Sequence, residues 1–434
     1  MKKYFNHKSG VKKLSNDELL DIVQSQTLKY FTDFAHPVSG MARERSNPIP
    51  QYGPDCVATG GTGFGIMAMI AGAERGWLSQ DELLERVTRI VDFLEGAEKY
   101  HGVFPHFMNG ATGKTIPFSR KDDGGDLVET SFLIMGLLSA RQYFSARPEA
   151  SDVSAKINKL WENVEWDWHT KDGSDKLYWH WSPQHGWDMS LPVEGWNESL
   201  VTHLLAVASP THPVSPRIYE ECWAKGADFK NGNSYDGIHL PLGPAQGGPL
   251  FMAHYSFLGL NPAGLKDKYA DYWEQNRNHT LINRAHCIRN PHQHTGYGPD
   301  CWGLTSSDKH NGYAAHSPAN DTGVISPTAA LSSFPYTPKY SMQALRHFYE
   351  DLGGKIWGKY GFTDAFNEST NWYANSYLGI DQGPIVVMIE NHRSGLLWKL
   401  FMSSPEVKHG LKKMNFQTPK GGKPFIKRST PFQP

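Results

Sequence analysis

Four carboxylates fall within eight residues in Lys121-Asp122-Asp123-Gly124-Gly125-Asp126-Leu127-Val128-Glu129, directly ahead of the apolar run 131–138. Asp126 and Glu129, three apart, read as a helix start in which Asp126 caps, Glu129 reaches back, and both face the positive end of the dipole. Capping needs one or two acids, however, and packing four like charges together costs energy unless something uses them. The cluster therefore also reads as a set of carboxylates at the lip of a cavity. Acids recur ahead of other apolar runs. Glu194 and Glu198 stand four apart in Pro192-Val193-Glu194-Gly195-Trp196-Asn197-Glu198, Asp321 precedes 322–332, and Asp381 lies in Gly379-Ile380-Asp381-Gln382-Gly383-Pro384. Any one of them suits a helix cap or a buried ion pair. Several on one rim suit glycoside hydrolysis, which needs opposed carboxyl groups, one protonated and one ionised. Helix dipoles favour the ionised form, so the general acid must be held neutral by burial or by acidic neighbours.

The elements that would hold these acids alternate in character. Segments 16–34, 80–99, 152–168, 216–228, 264–286 and 339–352 are amphipathic at helical spacing. Segments 61–74, 125–144, 197–208, 249–258, 322–332 and 384–402 are apolar nearly all round, with Pro384 read as the first helical position of the last. No run of short alternating strands intervenes. Helices that are apolar on every face need a complete sheath, and six amphipathic partners supply one. The expected fold is all-α, an (α/α)6 toroid with long loops on one face. One domain is expected over 1–434, with short extensions at about 1–14 and about 404–434.

Loop length gives the polarity of that toroid. Connections leaving the apolar helices are short, whereas those entering them, 101–124, 171–195, 231–248, 287–321 and 353–383, are long. Long loops in a compact domain are functional or disordered, and these are rich in Trp, His, Gly and Asn, which argues against disorder. Trp179, Trp181, Trp187, Trp196, Trp302, Trp357 and Trp372 lie in or beside them. Each taken alone suits loop packing; seven among carboxylates read as platforms for apolar sugar faces.

Composition removes other classes. Across 434 residues, 43 Lys and Arg against 44 Asp and Glu leave a formal charge of -1, with no electrostatic footprint for nucleic acid or acidic membranes. No apolar run reaches the length of a membrane span, and Met1-Lys2-Lys3-Tyr4-Phe5-Asn6-His7 lacks the apolar core of a signal peptide. A cytoplasmic protein is expected from the chain as it stands, or a periplasmic one if it is a processed form. Cys56, Cys222, Cys287 and Cys301 are widely spaced and read as buried thiols. His292, His294, His310 and His316 lack the Cys or carboxylate framework of a zinc site and read as hydrogen-bonding groups for loops or sugar hydroxyls. No metal or cofactor is expected.

The segments Gly298-Pro299-Asp300-Cys301-Trp302-Gly303-Leu304-Thr305-Ser306-Ser307-Asp308, Ile325-Ser326-Pro327-Thr328-Ala329-Ala330, Tyr360-Gly361-Phe362-Thr363-Asp364-Ala365-Phe366-Asn367 and Gly379 to Pro384 resemble the glucoamylase-like domain of cyclic β-1,2-glucan synthases. As a separate chain the sequence is similar to glycoside hydrolase family 144, with the likeness running from about Leu14 to Met402. That resemblance implies an (α/α)6 enzyme cutting β-1,2-glucan to sophorose and short sophoro-oligosaccharides by an inverting, metal-free mechanism. It also implies activity roles for Asp122, Asp126, Glu129 and Glu198. Glu198 is then the expected general acid and Asp381 the expected base. Asp122, Asp126 and Glu129 would tune protonation and bind hydroxyls. Glu194, Asp308 and Asp321 are expected at the substrate, with Trp196, Trp302 and Trp372 stacking on glucose. A monomer acting on β-1,2-glucan or sophoro-oligosaccharides is expected. The alternatives are a polysaccharide lyase on the same toroid and a catalytically silent glycan-binding toroid. A lyase needs Arg or Lys clamps in loops that are instead rich in acids, and a binding protein leaves the acid cluster without a use.

Overall fold

The computed structural model describes residues 14–418 of the chain. Its helices, in chain order, are α1 (Asn16–Thr32), α2 (Thr59–Glu74), α3 (Gln80–Gly96), α4 (Leu127–Tyr143), α5 (Ser151–Glu162), α6 (Leu200–Ala208) and α7 (Arg217–Glu221). They continue with α8 (Tyr272–Arg289), α9 (Pro327–Leu331), α10 (Pro338–Arg346), α11 (Gly353–Ile356), α12 (Gly379–Arg393), α13 (Leu396–Ser403) and α14 (Pro405–Lys413). The strands are two to four residues long and pair in small antiparallel ladders.

The inner ring is closed by helix contacts and hydrogen bonds. α2 packs on α4 and α12, α4 on α6, and α12 on α9. The arc between α6 and α9 is bridged by segment 250–258: the Val201 amide donates to Ser256 Oγ (2.9 Å), and His254 Nε2 meets Ser333 Oγ (2.9 Å). Every residue of α2 from Thr59 to Ala73, and of α4 from Leu127 to Ala140, is buried. The amphipathic helices form the sheath, with α1 over α12 and α2, α3 beside α5, and α10 against α9. The architecture is the expected (α/α)6 toroid.

Several expected helices are reshaped by tertiary contacts. Segment 249–258 is two short 3₁₀ turns, Leu250–Ala253 and Ser256–Leu258, rather than an α-helix. Its entry runs through Gly247 and Gly248, both at positive φ, and its first amides are taken by Leu304 O (3.1 Å) and Thr305 Oγ1 (3.0 Å). In 264–286 the helix starts only at Tyr272, where Asp271 caps the Trp273 and Glu274 amides. In 216–228 it ends at Glu221, and in 322–332 it is confined to Pro327–Leu331. The last apolar segment divides at Gly395 (φ 69°) into α12 and α13, and α12 begins at Gly379, so Pro384 stands inside it. Its first turn is fastened from outside: the Gly379 amide donates to Glu44 O (2.9 Å), Thr328 Oγ1 to Asp381 O (2.8 Å) and Gln382 Nε2 to Tyr360 O (2.9 Å). The stretch expected as an extension from about 404 instead forms α14 on α6, with Arg141 paired to Glu406 at 2.8 Å. Residues 1–13 and 419–434 lie outside the described residues. Among the described residues, no helix is long and apolar enough to cross a membrane.

The ring is tight where α2 crosses α4. A Cβ on Gly63 would stand 2.1 Å from Phe132 O, and one on Gly136 would stand 2.3 Å from Gly63 O. Both obstacles are backbone, which cannot rotate away. Gly63→Ala is therefore expected to destabilise the fold by about 3 kcal/mol, read as a shift in the urea unfolding midpoint with the slope unchanged.

Candidate active site

The first acid group is assembled by a two-stranded antiparallel ladder whose strands lie either side of α4 and α5 in the chain. Strand Gly125–Asp126 pairs with His180–Trp181, placing Asp126 directly opposite His180. Asp126 caps α4 with Oδ1, accepting from the Val128 (3.0 Å) and Glu129 (2.9 Å) amides. Its Oδ2 lies 3.0 Å from His106 Nδ1 and 3.5 Å from His180 Nε2, and His180 Nε2 is 3.0 Å from Asp122 Oδ2. Glu129 comes from the first turn of α4 and accepts from the Gly60 amide of α2 at 2.7 Å. A Cβ on residue 60 would meet Glu129 Oε2 at 2.6 Å, so a larger residue there would displace the carboxylate. His106 Nε2 is 3.9 Å from Glu129 Oε1, and the outer face of His106 is covered by Phe118, stacked at 4.3 Å between ring centroids.

These contacts set the protonation pattern. Burial pulls the imidazolium of His106 down, but the charges of Glu129, Asp126 and Asp122 outweigh it and raise the pKa to about 9. His180 is raised to about 10 in the same way, burial being overcome by Asp122 and Asp126. Asp126 is buried, yet the two histidines hold its carboxyl well below the usual range. Glu129 is pushed up to about 7, chiefly by burial, with Asp126 and Asp122 adding to it. Glu198, half-buried before α6, is also raised to about 7, by burial first and then by Glu129 and Asp126. The cluster thus holds ionised and protonated carboxyls side by side. His106, Asp122 and Asp126 have donor atoms within 4.8 Å of one another, a spacing open to a cation. The histidine–carboxylate bonds already occupy those donors.

A second acid group forms at the start of α12. Asp381 is buried and interacts directly with Asp364, whose Oδ2 accepts from the Asp308 amide at 2.7 Å. Asp308 is held by Arg45 Nη1 at 3.0 and 3.2 Å and by Ser376 Oγ at 2.5 Å, while Arg45 Nε grips Glu44 at 2.9 Å. Burial, then Asp364, drives the Asp381 carboxyl well above the carboxylate range; Asp364 is raised to about 7, by burial and Asp308. Asp381, the expected base, therefore stands beside a second buried carboxyl, and burial with that neighbour favours its protonated form. Between the groups lies Tyr255, packed on Phe64, Phe251 and Phe132 at 5.1, 5.1 and 5.9 Å, within electrostatic reach of Asp381, Glu198 and Glu129.

Other expected site residues have different surroundings. Trp302 is fully buried and Trp196 is 3 % exposed, stacked among Trp223, Phe257 and Tyr272; neither has a free face for a sugar. Asp321 has a side chain with no exposure, bound by His286 (2.8 Å) and Tyr297 (2.8 Å), and it anchors loop 290–326 rather than facing the cleft. Glu194 is paired with Lys176 at 3.1 Å, apart from the cluster. Trp372 is half-buried and lines, with Asp308, Arg45 and Tyr313, a cavity of about 520 Å³ beside the second acid group. His316 bonds Thr322 (3.0 Å) and His294 approaches Asp321 (3.5 Å), both as loop contacts. Sequence reasoning missed His106, His180, Arg45, Asp364, Tyr255 and Phe118. Asp364 stood within a quoted segment; the rest lacked any local pattern.

The match with known proteins agrees with this geometry. Residues 190–405 match the family model "Glycoamylase: Putative glucoamylase". An exo β-1,2-glucooligosaccharide sophorohydrolase (non-reducing end) of Parabacteroides distasonis is 46% identical over 423 residues, 92% of this chain. The chain spans 58% of the length of that curated relative. The solved endo-β-1,2-glucanase of Chitinophaga pinensis, in complex with sophorotriose and glucose, is 55% identical, with a TM-score of 0.91 over 94% of this chain and 99% of that one. The endo-β-1,2-glucanase of Talaromyces funiculosus shares the fold at 11% identity, with a TM-score of 0.64 over 92% of this chain and 91% of that one.

The two raised histidines have a consequence for stability. A folded pKa above the unfolded 6.5 means their contribution is complete below about pH 6.5 and is lost as pH rises through about 9 and about 10. The depressed Asp126 is the same interaction seen from the other partner. Thermal midpoints are expected to fall between pH 6.5 and 10, and His180→Gln to flatten that decline while lowering stability at pH 6.

Proposed function

The chain belongs to the glucoamylase-like family, glycoside hydrolase family 144, and on that premise we propose that it hydrolyses β-1,2-glucan to sophorose and short sophoro-oligosaccharides. The observation that carries the reading is the convergence of two acid groups on Tyr255, Glu198 with the Asp126 cluster on one side and Asp381 with Asp364 on the other. The relatives' substrates fit that rim: a neutral glucan asks for hydroxyl partners and stacking faces, not for cationic clamps.

In this reading Glu198 is the general acid. Its pKa of about 7 leaves it protonated below that pH and able to donate to the leaving glycosidic oxygen. Burial and the neighbouring charges of Glu129 and Asp126 hold that proton on. The base is the Asp381–Asp364 pair, one proton and one charge shared, activating a water on the opposite face of the sugar. Asp308, clamped by Arg45 and Ser376, sustains the charge that keeps the shared proton in place. Asp122 and Glu129, ordered by His180 and His106, bind sugar hydroxyls, while the fully buried Asp126 holds both histidines in place. Phe118, with 42% of its surface open above His106, and Trp372 offer the stacking faces.

Product analysis on linear β-1,2-glucan beside β-1,3, β-1,4 and α-1,4 glucans and a uronate polymer tests the substrate class; sophoro-oligosaccharides from the first alone are expected. Glu198→Gln should lower turnover by roughly 10²–10⁴-fold with folding intact, and near-normal turnover would move the acid to Glu129. In the parent enzyme kcat/KM should fall as pH rises through about 7, where the acid loses its proton.

Glu198 precedes α6 and Asp381 opens α12, and in this reading a water stands between them, which needs on the order of 6.5–9.5 Å between carboxyls. Inversion follows. Proton NMR in the first minutes should show the α-anomer at the new reducing end, and an initial β-anomer would rule out the Asp381–Asp364 pair as base.

A further inference from the structure

Away from the cleft, three potential metal ligands of different chemistry converge with nothing to bind. Cys301, His347 and Glu368 each offer a donor atom, and these lie within 4.8 Å of one another. We propose that they form a site for one divalent transition-metal ion of the zinc class, tying the two loops that carry Asp308 and Asp364 to the outer helix layer.

His347 is already oriented as a ligand. It opens a π-helical turn, His347–Asp351, and its Nδ1 is held by Asp351 Oδ2 at 2.9 Å. A carboxylate on one ring nitrogen fixes the tautomer and frees the other for a metal. The other nitrogen, Nε2, is buried and has no hydrogen-bond partner. An unpartnered buried nitrogen is costly, and a cation would relieve it.

Cys301 and Glu368 complete the set. Cys301 is a free cysteine, 1% exposed, on the loop that leads into strand Ser306–Lys309. Glu368 begins the turn that follows strand Phe366–Asn367, four residues beyond Asp364. Among the described residues no side-chain hydrogen bond or ion pair engages its carboxylate. Room for that carboxylate comes from Gly296 (φ +87°), where a Cβ would stand 2.1 Å from Glu368 Oε2. The glycine lets the acid lie inward instead of turning to solvent.

The donor chemistry selects the ion. Thiolate, imidazole and carboxylate together suit zinc or cobalt(II), whereas magnesium and calcium prefer all-oxygen shells. Bond lengths of about 2.0–2.3 Å put tetrahedral donors on the order of 3.5 Å apart, so a small contraction of donors that already lie within 4.8 Å of one another closes the shell, with water as fourth ligand. One thiolate and one carboxylate neutralise a dication, which suits a site where the thiol is buried and the other two ligands are half-buried. Without a cation, burial and the charge of Glu368 hold the Cys301 thiol well above its usual pKa. Coordination reverses that balance: the S–H proton leaves to solvent as the metal–sulfur bond forms.

The test uses the full chain after chelation and desalting, titrated with cobalt(II) and then zinc. One equivalent of cobalt should produce tetrahedral visible bands with a thiolate-to-cobalt charge-transfer band, and zinc should displace it. Zinc should also raise the thermal midpoint. The thiolate band separates this site from the His106–Asp122–Asp126 group, which has no cysteine. Cys301→Ser should abolish the band, and His347→Gln or Glu368→Gln should weaken cobalt binding at least tenfold. Because Cys301 lies in the core, half-buried Glu368 carries the test if Cys301→Ser fails to fold. Absence of a charge-transfer band in the parent protein, or an unchanged affinity in both His347→Gln and Glu368→Gln, would overturn the proposal.

Discussion

Eight carboxylates and two imidazoles cannot all take their aqueous charge states inside one narrow mouth, and this constraint orders the rest of the molecule. Each charge is answered locally. His106 and His180 stay protonated to answer Asp126 and Asp122, and Arg45 bridges Glu44 and Asp308. Glu129, Glu198 and the Asp364–Asp381 pair instead favour their protonated forms, because burial and acidic neighbours outweigh the pull of His106 and Arg45. The division is set by low dielectric, where an unpaired charge costs far more than a retained proton. A protonated glutamate close to ionised aspartates is what acid–base chemistry on a neutral sugar requires.

Holding that pattern demands rigid backbone beneath it. The acids sit on first turns of inner-ring helices, and those helices approach to backbone contact through Gly63 and Gly136, with Gly60 yielding its amide to Glu129. Segment 250–258 abandons α-geometry to serve the same end. Ser256 Oγ donates to Glu198 O and accepts the Val201 amide, so the 3₁₀ turn fixes the start of α6 and sets Tyr255 between the two acid groups. Local helix regularity gives way to the placement of one glutamate.

The aromatic residues show how far residue type alone can mislead. Trp302 and Trp196 are among the largest side chains near the cleft, and their burial area is worth more in the core than at a rim. Phe118, a smaller ring with no special neighbours in sequence, is the one left open above His106. Asp321 fails as a cleft residue for a related reason: three hydrogen-bond donors, His286, Tyr297 and the Gly323 amide, hold it inside its own loop.

Sequence by itself determined the ring. Helices apolar on every face can exist only inside a sheath, and their alternation with amphipathic partners names both layers. Acids at apolar-run N-termini also announced themselves, since Asp126, Glu129, Glu198 and Asp381 are set by short-range position on a helix. What only tertiary structure decided were the partners. His180 meets Asp126 across 54 residues, Arg45 meets Asp308 across 263, and Glu129 meets Gly60 across 69. Such pairs leave no periodicity, because electrostatic compensation depends on distance in space and not on spacing along the chain. The charge state of each carboxyl, and so its chemical role, is fixed by those distant partners.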